Sequence, residues 1–336
     1  MSKHRSLMDA RALLAAGTLA LGGAAIASTS ALAQADAAAN YPNQPVKIVV
    51  GFTPGGSNDL LARLLAQKLS EKLGKPFVVE NRPGAGARIA TEFVARSTPD
   101  GHTLLVAPAG TLVINPAVYS KLNYDSIKSF EHIAVIATYP FLLSVRADHP
   151  AKNVKDLIAY AKANPDKANY GSTSAVFQLT SELFNLKAGV KFEHIPFKSG
   201  GEIVTGIITG QVTMAFADTG PVMPHIKSGK VRALATSGAK RLHSLPDLPT
   251  VVEAGVPGVV VDGFSGLITP KGTPKAIVKK LESEINAMLK LQDVRTRMDQ
   301  IGILPAGGTS EQFTAMLERD IPMWKDVAKA ANIKFD

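Results

Sequence analysis

Two α/β domains with largely parallel sheets, the first interrupted by the second, are what the sequence predicts. Three observations carry this. Short apolar runs alternate with helical patterns over most of the chain, the signature of strand–helix units. An export-type leader occupies residues 1–33 and leaves 303 residues, large for one compact domain and comfortable for two. The segment from Pro274 onward is helix-rich and too small to stand alone, so it is expected to pack back onto the first half. The expected division is a discontinuous first domain, 34–139 plus 262–336, and an inserted second domain, 140–261, with crossings near Tyr139-Pro140 and Val261-Asp262. Ligands of open α/β sheets sit at the carboxyl ends of strands, and two such domains face each other across a cleft that closes by a hinge.

The elements follow in order. Lys3, Arg5 and Arg11 make a basic start, an Ala/Leu-rich run follows from Ala12, and Ala31-Leu32-Ala33 is an A-x-A site, placing cleavage before Gln34. The apolar run is short for a membrane span. The alanine-rich 34–40 reads as a loose mature N-terminus. Residues 46–52 read as a buried strand. Leu60, Leu61, Leu64, Leu65, Leu69 and Leu73 keep helical spacing, and Gly74 stops the helix. Strands are expected at 77–79 and 103–107, and extended chain at 133–145, interrupted by Pro140. Asn153 caps a helix through Ala163. A strand around Asn169-Tyr170 precedes a helix over 176–187. His194-Ile195-Pro196, a Gly200-Gly201 loop and a helix to Thr209 come next, then strands at 212–217, 231–236 and 266–269.

Composition excludes several classes. The whole chain carries a net charge of +9, and the mature chain +7, from 34 Lys and Arg against 27 Asp and Glu. That field steers anions. There is no run of five basic residues and no basic–aromatic interleaving, so nucleic acid is not an expected partner. The absence of cysteine removes disulfides and thiolate metal sites, and the histidines form no H-E-x-x-H or other close metal pair. No metal or cofactor is expected. Gly263-Phe264-Ser265-Gly266 has the wrong spacing for a nucleophile elbow. Ser237-Gly238-Ala239-Lys240 matches S-x-x-K without its companion motifs, so no catalytic residue is assigned. Gly84-Ala85-Gly86 lacks the third glycine of a dinucleotide loop. Asn81-Arg82-Pro83-Gly84 reads instead as a turn into the next helix, with Arg82 an alternative anion contact.

The strongest local signal is Pro54-Gly55-Gly56-Ser57-Asn58-Asp59, between the first strand and its helix. A glycine loop feeding a helix N-terminus points backbone N–H groups and the positive end of the helix dipole at a bound anion. Ser57 or Asn58 is the expected N-cap. Asp59 falls in the first turn, where it complements the dipole or orients the loop. A side chain at Gly56 is expected to obstruct close backbone approach.

The markers Tyr41-Pro42, Gly55-Gly56-Ser57-Asn58-Asp59, Val79-Glu80-Asn81-Arg82-Pro83-Gly84-Ala85-Gly86 and Pro99-Asp100-Gly101-His102 continue through Ile114-Asn115-Pro116-Ala117-Val118-Tyr119, Pro224-His225-Ile226-Lys227-Ser228-Gly229-Lys230, Leu248-Pro249-Thr250 and Pro270-Lys271-Gly272-Thr273-Pro274. In this order, across essentially the whole mature chain, they resemble the substrate-binding proteins of tripartite tricarboxylate transporters, the Bug family. The resemblance implies a periplasmic binding protein fold of type II, two α/β domains with a ligand cleft and hinge. It also implies a periplasmic monomer that binds a small organic carboxylate and delivers it to membrane permease subunits, without enzymatic turnover. A sensor of the same fold, presenting its bound state to a signalling receptor, is the alternative.

The ligand-binding set expected on this resemblance is Phe52, Thr53, Gly55, Gly56, Ser57, Asp59, Ala107, Gly110, Thr111, Ser172, Thr173, Ser174, Asp218 and Phe264. Two loops depart from the family's usual pattern. The loop after Tyr170 reads Gly171-Ser172-Thr173-Ser174-Ala175-Val176-Phe177-Gln178, without further glycines and with Gln178 near a usual histidine. Phe216-Ala217-Asp218 stands where Phe-Asp-Asn is common. Phe52, Val176, Phe177 and Phe264 are expected to form an apolar wall, with core packing the alternative for these four side chains; such a wall suits a mono- or dicarboxylate with a hydrocarbon or aromatic body over citrate.

Overall fold

A computed structural model describes residues 39–335 except 198, 243, 301 and 302. The signal peptide 1–33 and the cut before Gln34 lie outside the described residues.

The first strand, β1 (Val46–Val50), pairs in parallel with β2 (Phe77–Asn81) and β3 (Thr103–Pro108). It ends before the apolar run does. At Gly51 the chain passes so close to Ala87 that a Cβ would lie 2.3 Å from that residue's own, so only glycine fits the bend. Helix α1 (Ser57–Leu73) follows, burying Leu61, Leu65 and Leu69 one turn apart against the sheet, and Gly74 ends it at φ 71°. The turn into α2 (Arg88–Ala95) falls at Ala85–Ala87, later than the expected Asn81-Arg82-Pro83-Gly84, of which Asn81 still belongs to β2. Arg82 does not line the main cavity. Its guanidinium pairs with Glu80 and stacks 3.6 Å over the Phe93 ring.

After β3 a π-helical turn (Gly110–Ile114) runs into the short α3 (Asn115–Val118). Strand β4 (Phe130–Arg146) is 17 residues long, and Pro140 does not break it. Instead, Pro140 marks a change of partners. Up to Pro140 the strand pairs with β9 (Asp262–Pro270); from Phe141 it pairs with β7 (Met214–Asp218) and then β8 (Val231–Thr236). The second half adds α4 (Val154–Ala163), β5 (Asn169–Ser172), α5 (Ala175–Ala188), β6 (Glu193–Pro196), α6 (Gly200–Thr209) and α7 (Thr219–Lys227). Gly200 and Gly201 are not a separate loop but the first turn of α6, which Ser199 caps. The tail supplies α8 (Lys275–Met288), α9 (Gln292–Gln300), β10 (Leu304–Pro305) and α10 (Ser310–Ala330).

The strand order is β2-β1-β3-β9-β4-β7-β5-β6, with β8 and β10 also on β4. Both flanks are parallel as expected, but the centre is not: β9 runs antiparallel to β3 and to β4. The chain leaves the first half along β4 and returns along β9, so the two crossing strands must point opposite ways. Where they meet, the Ser237 hydroxyl accepts from the Phe141 N–H and donates to the Val261 carbonyl. That serine is a buried tie between strands, which gives its S-x-x-K match a structural meaning. Helix α10 starts with a Thr309–Gln312 capping box and buries Phe313, Leu317 and Trp324. It packs on β4, on the π-helical turn with α3, and on α5.

Candidate ligand cavity

The carboxyl ends of β1, β3 and β7 open into one cavity of about 670 Å³. Helix beginnings surround it. Gly56, Ser57 and Asn58 belong to the start of α1, Ser174 to Phe177 to the start of α5, and Asp218 to Pro221 to the start of α7; Gly110 and Thr111 come from the π-helical turn. Caps distinguish these helices from α4, α6 and α10, though α2, α3 and α8 also begin without a side-chain cap bond. Asn153, Ser199 and Thr309 cap α4, α6 and α10 with side-chain oxygens. The N-caps of α1, α5 and α7 (Gly56, Ser174 and Asp218) make no side-chain cap bond. Each of these N-termini therefore keeps unpaired N–H donors and its dipole for whatever enters the cavity.

The N-cap of α1 is Gly56, not Ser57 or Asn58, which lie in the first turn. Asn58 accepts from the Ser265 hydroxyl at 2.6 Å, and Tyr139 lies 3.3 Å from the same hydroxyl. This chain of polar contacts fixes the start of α1 to β9 and β4. The loop before α1 is held from below by Asp59, which is buried. Its carboxylate accepts from the Gly55 N–H at 2.9 Å, from Arg63 at 2.9 and 3.0 Å, and from Asn81 at 2.9 Å; Asn81 also donates to the Phe52 carbonyl. Burial pushes the Asp59 carboxyl up. The hydrogen bonds from Arg63, Gly55 and Asn81 together outweigh it and hold the group below the usual aspartate range. Gly55 sits at φ +90°, a conformation that favours glycine, whereas Gly56 at φ −78° is in ordinary extended space with room around it.

Of the fourteen expected site residues, Phe52, Thr53, Gly56, Ser57, Gly110, Thr111, Ser174 and Asp218 line the cavity. The other six do not, and four have clear reasons. The Gly55 N–H is committed to Asp59, so both residues shape the loop rather than the lining. Ser172 is buried at the end of β5, where its hydroxyl lies 2.7 Å from His194 Nε2. Phe264 faces away from the cavity and meets Phe313 edge to face, with ring centroids 5.8 Å apart; its neighbour Gly263 lines the cavity instead. Ala107 is fully buried in β3, and Thr173 stands beside Ser174 without entering the lining. Thus Phe52, Val176 and Phe177 join the apolar wall and Phe264 does not.

Sequence reasoning assigned no role to several lining residues: Ile114, Asn115, Tyr119, Tyr139 and Phe141, and Thr219 to Pro221 on α7. The stretch from Ile114 to Tyr119 does stand among the family markers. Gly263 lets Tyr139 in, since a Cβ there would lie 2.2 Å from the Tyr139 ring. Thr111 is notable: it is 1 % exposed, it lines the cavity, and its hydroxyl has no hydrogen-bond partner. Its backbone is fixed by the Tyr124 hydroxyl, which donates to the Thr111 carbonyl at 2.7 Å.

Among the described residues the lining contains no Lys, Arg or His, and Asp218 is its only charged side chain. Much of the Asp218 surface is reachable from the cavity, yet protein encloses the carboxyl at longer range. That enclosure desolvates it and pushes it up to about 6. No cluster of His, Cys, Asp or Glu among the described residues could hold a metal ion, and none of their helices is long and apolar enough to cross a membrane.

The chain matches the family described as "Tripartite tricarboxylate transporter family receptor" over residues 61–333. It is 32% identical to Protein BugT of Bordetella pertussis, over 91% of this chain and 95% of that one. Among solved structures it resembles "R. palustris Rpa4515 with adipate" at 35% identity and TM-score 0.76, covering 88% of this chain and 99% of the other. It likewise resembles "MatC (Rpa3494) from Rhodopseudomonas palustris with bound malate" at 32% identity and TM-score 0.71, covering 85% and 99%. The fold is accordingly the two-domain fold of periplasmic binding proteins, and the cavity belongs to a receptor and not to an enzyme. The chain is a member of the tripartite tricarboxylate transporter receptor family, the Bug proteins.

Proposed function

We propose that this protein captures a small organic carboxylate in the cavity between its two halves and delivers it to the permease of a tripartite tricarboxylate-type transporter. The observation that carries the reading is the pair of uncapped helix N-termini, α1 and α5, opening onto a cavity without a single basic side chain among its described lining residues. Such a site recognises a carboxylate by backbone N–H groups, by the dipoles behind them and by the hydroxyls of Ser57, Thr111 and Ser174. Phe52, Val176, Phe177 and Phe141 surround it with apolar surface, and the volume suits a small molecule. Adipate and malate in the two similar structures agree with this chemistry.

The domains are 34–139 plus 262–336 and 140–261, and the hinge lies where β4 changes partners at Pro140 and β9 begins at Asp262; the pairing switch supports this division. The mature protein works as a monomer in the periplasm, starting at Gln34. The intact mass of protein from a periplasmic extract should equal that of 34–336, and a full-length chain retained in the membrane would contradict it.

Calorimetry against citrate, malate, adipate and aromatic carboxylates tests the binding reading. An acid with an apolar body should bind more tightly than citrate and be recovered chemically unchanged. At about 100 times its Kd it should raise stability by about 2.7 kcal/mol, because it binds only the folded state. Tight binding of citrate alone would contradict the apolar wall, and an altered ligand would contradict a pure receptor.

A further inference from the structure

We propose that Asp218 makes the cavity bipolar and selects a carboxylate whose far end carries a hydrogen-bond donor, an ammonium group above all. This deepens the carboxylate reading and rests on it. Three of the cavity's helices begin without a side-chain cap bond, but they are not equivalent. The start of α5 carries no charged residue, and the one acid in the first turn of α1, Asp59, is paired with Arg63 and does not line the cavity, so both remain positive ends towards it. The start of α7 carries Asp218 at its N-cap, so a full negative charge sits at that positive end.

The Asp218 carboxylate has no hydrogen-bond or ion-pair partner among the described residues and stands in the cavity wall. The groups around it leave it so. Tyr139 on β4 donates its hydroxyl proton to the Phe264 carbonyl at 2.9 Å. Tyr119, the other titratable lining residue, lies under the Arg88 guanidinium at 4.1 Å. On α6, Glu202 lies in the first turn; on β8, Arg232 donates to the carbonyls of His149 and Ala151; and Asp262 pairs with Pro140 on the opposite edge of β4. None of these charged groups lines the cavity. The Asp218 carboxyl is reachable from the cavity, and the protein around it raises it to about 6; a donor from the ligand that pairs with it favours its charged form. A second ligand carboxylate set against it would meet a like charge.

The test uses matched ligands on the wild-type protein and on Asp218→Asn: butanoate, pentanoate and hexanoate; the same chains ending in ammonium (4-aminobutanoate, 5-aminopentanoate, 6-aminohexanoate); and the same chains ending in a second carboxylate (succinate, glutarate, adipate). Asparagine is an equally good N-cap residue, so the variant should fold, and its melting temperature checks this. At neutral pH the best amino acid should bind the wild type at least tenfold more tightly than the plain acid of its length, and the dicarboxylate more weakly. Asp218→Asn should cost the amino acid at least tenfold and improve the dicarboxylate. Dicarboxylate affinity should rise as pH falls from about 8 towards about 6.5 in the wild type only, because the protonated fraction of Asp218 grows as the pH approaches its elevated value of about 6. Dicarboxylates bound equally by both proteins, or more tightly than the amino acids by the wild type, would overturn the proposal while leaving the carboxylate reading intact. Failure of every acid, the plain ones included, would overturn both.

Discussion

Replacing Thr111 with valine should weaken carboxylate binding by about 10- to 100-fold and leave the unliganded protein as stable as before, or more so. The two effects have one cause. Thr111 lines the cavity, and its hydroxyl is enclosed and has no partner in the protein. In the free protein it carries an unmet hydrogen bond, a cost of about 1–3 kcal/mol that valine removes without changing the shape of the side chain. A ligand carboxylate seated against Thr111 is expected to accept from this hydroxyl, and a hydrogen bond to a charged group contributes about 1.5–3 kcal/mol, with each 1.4 kcal/mol tenfold in affinity. Calorimetry and a thermal melt of the same variant check both signs. A merely structural threonine would give lost stability with unchanged affinity.

Asp59→Ala should have the opposite signature, lowering stability and affinity together. The alanine strands the Gly55 N–H, releases Arg63 from its carboxylate and removes one of the two acceptors of the Asn81 amide nitrogen. Removing one partner of a buried pair costs about 3–5 kcal/mol. Arg63 stays half-exposed and water can take up its charge, so about 2–3 kcal/mol is expected here. The loop would then have to be ordered on binding, which should cost roughly tenfold in affinity. The wild type should show a matching acid sensitivity. Because the native Asp59 carboxyl is held below its unfolded value of about 4, its contribution is fully present above that pH. It fades as pH falls through the lowered native value, and the difference in stability between wild type and Asp59→Ala should shrink in the same window. Denaturant melts at neutral and acid pH measure this; a constant difference would contradict it.

What could be read from the sequence follows from how local each feature is. The strand, loop and α1 helix around Pro54-Gly55-Gly56 were legible because glycine, proline and the leucine spacing act over a few residues. Asn153 was legible as a cap for the same reason. Phe264 was not. In a strand, neighbouring side chains face opposite ways, and nothing local shows whether Gly263 or Phe264 looks into the cavity. Ser172 failed similarly, since its orientation depends on His194 from a neighbouring strand. The direction of β9 is a matter of topology that periodicity does not encode. Thr111 was named, but its unmet hydroxyl depends on a π-helical turn that no spacing announces. Asp59 was legible as either a complement to the dipole or an organiser of the loop; its contacts with Gly55, Arg63 and Asn81 show the second.

The central claim is that a carboxylate is held by helix N-termini and hydroxyls without a basic side chain. A crystal structure of the protein with its tightest-binding acid tests this most directly. The expected result is a carboxylate within hydrogen-bond distance of backbone N–H groups at Gly56 to Asn58 or Ser174 to Val176, with the Thr111 hydroxyl donating to it. A carboxylate paired with a lysine or arginine, or an acid bound outside this cavity, would contradict the claim.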